Sequence, residues 1–238
     1  DGIVGNTPGE TCDPPGSTPT TPPGNTNTCR PLGPDQCTYC GDHVVNDGET
    51  CDDGNHTNGD GCENNCTPSP CSVVIAKTVA PDDGSGGATA CDGVADGAFV
   101  ENVTVDQTTC VVYKICVTNT GGQVLDGNGV KVSDPVLGTV NLDFGTIASG
   151  ATVCKQAPGV FTAPNCTGGS PAGTSCLCSQ VAGVNTANIS SAICQGTNQD
   201  ACTQPGSDCS DTANVTCEFC GDGIVGNTPG ETCDPPGS

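Results

Sequence analysis

The chain has 238 residues, with 27 acidic against 5 basic side chains and a formal net charge of −22, a balance that argues against nucleic acid and anionic lipid and makes cations the expected partners. Twenty-one cysteines with no Met and no Trp describe a chain that cannot rely on one large apolar core and is stapled by disulfides instead. Such a chain belongs in an oxidising compartment, extracellular or at the cell surface, and no run of eighteen apolar residues reads as a membrane-spanning segment.

In chain order, the first element is DGIVGNTPGETCDPPGS at residues 1–17, which recurs without a substitution at 222–238. An offset of 221 residues between identical segments reads as one period of a tandem or polymeric array, of which this chain is a slice. Cys233 then repeats Cys12, which leaves an even twenty cysteines per period, a number that can pair completely. Residues 1–39 read as a disulfide-rich module whose start lies in the preceding period, and 218–238 as the start of the next one. Within the former, the Pro- and Thr-rich STPTTPPGNTNT is a linker or loop that could carry O-linked sugar.

Residues 40–70 form a second, acidic module. CGDHVVNDGETCDDGNHTNGDGCENNC at 40–66 shares its first half with the segment starting at Cys220, and each copy follows a Cys-x-x-Cys, Cys37 to Cys40 and Cys217 to Cys220. Each module therefore opens at the second cysteine of that pair, while the first closes the element before it. These residues resemble the myxobacterial-type cysteine-rich disulfide repeat of secreted proteins, with its Cys-Gly-Asp-Gly, Gly-Glu-x-Cys-Asp-Asp-Gly-Asn and Gly-Asp-Gly-Cys pattern. The likeness departs at His43, where the pattern has Gly, and at Asp234-Pro-Pro-Gly in the other copy. The spacing that both copies share predicts Cys40 paired with Cys51 and Cys220 with Cys233. By periodicity, Cys12 would pair with the Cys220 equivalent of the preceding period.

Within this module Asp42, Glu49, Asp52, Asp53, Asn55 and Asp60 are interleaved with glycines. Hard cations take six to eight oxygens, and glycine lets a short loop fold round an ion, so calcium is the expected cofactor. The corresponding set in the other copy is Asp222, Glu231 and Asp234, and by the repeat Asp1, Glu10 and Asp13. A solvated acidic loop is the alternative reading. Zinc would need a second cysteine pair close by, and the two Cys-x-x-Cys pairs are far apart in sequence.

Residues 71–217 change texture to alternating runs divided by Gly-, Asn- and Thr-rich turns. Strands are predicted at 73–79, 99–105, 110–119, 129–133, 140–147, 184–193 and 212–217. Val111, Tyr113, Ile115 and Val117 share one face of CVVYKICVTN; Ala187, Ile189 and Ser191 share one face of VNTANISSAI. Seven or eight short strands read as an all-β sandwich. VVYKICVTNTGGQVLDGNGVKVSDPVLG, FGTIASGATV and NTANIS resemble the immunoglobulin-like repeat domain of bacterial and archaeal surface proteins. That resemblance implies a spacer or adhesion module. Extra cysteines, among them Cys110, Cys116, Cys154, Cys176 and Cys178, predict cross-linking beyond the usual pattern.

Asn-x-Ser/Thr sequons at Asn102, Asn188 and Asn214 make glycans a further expected partner, and Asn188 and Asn214 sit between inward-facing Ala and Ile or Val, which points them to solvent. No nucleophile elbow, Cys-His couple or phosphate-binding loop is present, so no catalysis is predicted. The composite expectation is a structural subunit of an extracellular filament or cell-surface stalk, joined end to end to copies of itself, cross-linked by disulfides and stiffened by calcium. A surface adhesin binding carbohydrate or host protein through loops such as 81–97, and the spacer of a secreted hydrolase, are the alternatives.

Overall fold

The computed structural model describes residues 41, 43, 45, 49–55, 57–84, 91–157, 166, 176–195 and 197–218. Within them the chain is all-β, with almost no helix. The strands are β1 (Val73–Asp82), β2 (Asn102–Asp106), β3 (Cys110–Asn119), β4 (Leu125–Asp134), β5 (Thr139–Ile147), β6 (Thr152–Ala157), β7 (Cys176–Leu177), β8 (Gly183–Cys194) and β9 (Ser210–Glu218). A four-residue helix, α1 (Cys178–Val181), precedes β8.

Two sheets form. One runs β1-β3-β6 with β7 also on β3; the other runs β2-β9-β8-β4-β5. All pairings are antiparallel except β2 with β9, which is parallel. The alternation along each strand buries one face. Val73, Ile75, Ile115 and Val117 from the first sheet meet Leu125, Val132, Phe144, Ile147, Ala187 and Ile189 from the second in a common core. A second cluster around Val79, Val111, Tyr113, Leu137 and Val215 continues it. The free edge of β1 is closed by single bridges, Val74 with Asp208 and Val79 with Val100, which keeps it from templating another strand.

Six disulfides lie in this body. Cys71–Cys194 joins the start of β1 to the end of β8, Cys116–Cys154 crosses directly opposed positions of β3 and β6, and Cys178–Cys217 ties α1 to β9. Cys91–Cys110, Cys166–Cys176 and Cys202–Cys209 fasten loops. A seventh, Cys51–Cys62, lies upstream.

Three expectations need correction. β6 and β7 fall in stretches without a clear two-residue alternation, and tertiary pairing to β3 makes them strands. The inward phase of β8 does not run on through Ser191. Ser190 is an extra residue between the partners of Lys131 and Val132, so a bulge shifts the buried set to Ala192 and Cys194. Cys51 pairs with Cys62 rather than Cys40. Left-handed turns at Gly54, Gly59 and Gly61 fold the intervening loop back on itself, and Asp53 Oδ2 accepts the Cys62 N–H at 3.0 Å, bringing the two cysteines together. Cys40 itself lies outside the described residues, as do Cys12, Cys220 and Cys233.

Candidate functional site

The acidic connector at 49–70 has too few apolar side chains to fold by burial: among its described residues the one buried cluster is Cys62 and Cys66, with Cys51 against them. Disulfides and short side-chain to backbone hydrogen bonds hold it instead. Cys66, like every described cysteine, is disulfide-bonded. Thr50 donates through both N and Oγ1 to Cys66 O, at 3.1 and 2.8 Å.

The expected ion-binding set splits into different roles. Asp52 organises the loop, its carboxylate accepting the N–H groups of Gly41, His43 and Gly54 at 2.9, 3.1 and 2.8 Å. Asn55 closes a turn by accepting the Thr57 N–H and donates its amide to Asp60 Oδ2 at 2.9 Å. Asp53 and Asp60 lie side by side. Burial, and then the adjacent Asp60 carboxylate, push Asp53 above its usual range, against the N–H groups of Cys62 and Asn55. Glu49, Asp52 and Cys66 bring one ligand atom each to within 4.8 Å of one another, but the Cys66 sulfur is committed to its disulfide, so only oxygen donors remain there. An all-oxygen set suits a hard cation, and no described cysteine has a thiolate for zinc. Asp42, Asp222, Glu231, Asp234, Asp1, Glu10 and Asp13 lie outside the described residues.

The connector is seated on the two-sheet body. A side chain at Gly59, where φ is +88°, would drive a Cβ to 2.5 Å from Gly122 O, so the two backbones meet there because residue 59 is glycine. Beside it the buried Gln123 donates Nε2 to Ser69 O at 2.7 Å and accepts the Thr197 N–H at 3.0 Å, while Gly122 N donates to Pro70 O at 2.8 Å. Cys71–Cys194 locks the next residue. The last residues of the connector, Ser69 and Pro70, are therefore bonded directly to the body. An open cavity of 390 Å³ lies at this seam, between Pro68, Pro70, Gln199 and Pro205.

The described residues of the 81–97 loop, 81–84 and 91–97, are likewise tied down. Cys91 is bonded to Cys110, and the buried Asp82 accepts the N–H groups of Asp92 and Gly93 at 3.2 and 2.8 Å, with desolvation pushing its carboxyl upward. Among the glycan candidates Asn102 and Asn188 are exposed and Asn214 is half-buried. Asn102 and Asn214 are partners across the β2–β9 pair, so one covers part of the other.

Sequence reasoning missed a second polar group. Lys77, Asp134 and Asn185 stand at inward-phase positions, in register with Val73 and Ile75, with Val130 and Val132, and with Ala187 and Ile189, and all three are buried. That phase was the available signal: a polar residue on an apolar stripe.

No family model matches this chain, and neither a curated protein nor a solved structure is significantly similar to it. Among the described residues no helix is long and apolar enough to cross a membrane.

Proposed function

We propose that this protein is a structural subunit of an extracellular filament or cell-surface stalk. Its two-sheet body is an immunoglobulin-like sandwich, and its disulfide-rich modules join one period to the next. The observation that carries the reading is the unsubstituted seventeen-residue module recurring 221 residues on, at the far side of a stapled body. The bonding of Cys217 to Cys178 supports it: the first cysteine of that Cys-x-x-Cys belongs to the body, which leaves Cys220 to open the next module. Seven disulfides among the described residues fit an oxidising, extracellular setting.

Calcium would sit at the connector, held by the adjacent carboxylates of Asp53 and Asp60. There it would supply charge neutralisation and cross-linking of a loop that carries adjacent carboxylates. Asp52, whose oxygens already accept backbone N–H groups, acts on the site by shaping the loop. The protein performs no chemistry on a substrate in this reading. Electron microscopy of the purified protein in millimolar calcium tests it. Filaments with a regular axial repeat are expected, and a protein that stays monomeric at all concentrations and calcium levels would overturn it.

A further inference from the structure

The polar cluster between the sheets has a chemistry of its own. Lys77 projects from β1 in the first sheet and Asp134 ends β4 in the second; both side chains are fully buried and Lys77 Nζ touches Asp134 Oδ2. The amine lies 4.9 Å from the centre of the Tyr113 ring. The other Asp134 oxygen, Oδ1, accepts the Leu137 N–H at 3.1 Å. Asp211 is turned to the Lys77 backbone N–H at 2.6 Å. The Tyr113 hydroxyl and both polar atoms of Asn185 are buried without a hydrogen bond of normal geometry, although the two side chains are near enough for the amide to act on the phenol.

An ion pair in such a site loses the hydration of both charges, and moving the proton from amine to carboxylate removes both charges at once. Burial lowers Lys77 to about 8 even though Asp134 and Asp211 oppose the shift. An amine that has given up its proton is a nucleophile, a carboxyl group that has taken it is an acyl electrophile, and the packing holds amine and carboxyl in contact. Fixed contact of this kind is worth effective concentrations of about 10⁵–10⁸ M in intramolecular reactions.

We propose that Lys77 and Asp134 condense to an amide that ties the two sheets together covalently. The Nζ lone pair attacks Asp134 Cγ, and the negative charge that develops on Oδ1 faces the Leu137 N–H. An amine proton passes to the Oδ2 hydroxyl, the C–O bond breaks, and one water leaves. The product is a Cγ–Nζ amide. No electron is gained or lost and no co-reactant is needed. Asn185 Oδ1 supplies an unpartnered buried acceptor in the same cluster for the new N–H. The cross-link bridges elements of opposite sheets, a task none of the strand pairings performs, and it stands whether or not chains assemble end to end.

The test is mass spectrometry of the full chain after folding, reduction, alkylation and denaturation. The expected mass is short by one water, and protease digestion should yield a Lys77 peptide joined to an Asp134 peptide after the disulfides are gone. Lys77→Arg should restore the full mass, a readout that does not depend on whether the variant folds. Full mass in the unsubstituted chain, with Lys77 open to an acylating reagent after denaturation, would overturn the proposal. So would a water loss without joined peptides, or the loss of ammonia with Lys77 joined to Asn185.

Discussion

The connector and the two-sheet body use the same cysteine chemistry to different ends. In the body, two apolar clusters bury side chains from both sheets, and each fully buried Val or Ile contributes about 1.5–3 kcal/mol, so its six disulfides reinforce a fold that packing already specifies. In the connector the buried cluster is two cysteines with a third against it, and a disulfide worth about 2–4 kcal/mol is the main source of order. Charge differs in the same sense. In the body the buried Lys77 amine meets the Asp134 carboxyl, whereas the connector sets Asp53 beside Asp60. One region is finished by its own residues, and the other keeps two carboxylates side by side.

The largest break of that contrast is Asp134→Ala. It leaves the buried Lys77 amine without its partner and should destabilise the body by about 3–5 kcal/mol in denaturant titration. Hydrogen exchange at Thr50 and Cys62 should stay as it was. Cys51→Ser with Cys62→Ser is the converse: the connector amides should lose about 2–4 kcal/mol of exchange protection while the body's unfolding midpoint holds. A body that unfolded with the connector would show the two regions to be one cooperative unit.

Asp52→Asn should cost about 1.5–3 kcal/mol of local stability, since one carboxylate holds three backbone N–H groups. The substitution Asp53→Asn should act the other way in chelator, relieving the pair with Asp60, and should abolish any calcium-dependent protection. A pH series follows from the same pair. Because Asp53 is raised in the folded chain, the ion-free connector is most stable when protonated, and it loses stability as pH climbs from 3.8 through the raised value. Calcium added at neutral pH should restore the protection; equal exchange rates with calcium and with chelator would leave the acidic loop as solvated surface. The smallest effect belongs to Asn188→Gln on the exposed face of β8, which should remove one glycan in a glycosylating host and leave stability within about 0.5 kcal/mol.

The sequence by itself determined the strands whose alternation is regular. Val111, Tyr113, Ile115 and Val117 are buried as their phase requires, and seven of the nine strands lie where alternating runs stand. Composition likewise marked the chain as disulfide-rich, and in the connector, where few apolar side chains are available, a disulfide carries the order. Only the tertiary structure decided which cysteine meets which, since shared spacing in two related modules says nothing about how left-handed glycine turns fold Cys51 onto Cys62. It also decided the bulge at Ser190, which shifts the register of β8 on β4, and made a strand of Thr152–Ala157 by offering it the free edge of β3. The meeting of Lys77 with Asp134 is the clearest case. Each residue alone reads as an interruption of an apolar stripe, and only two sheets packed face to face bring residues 57 positions apart into contact.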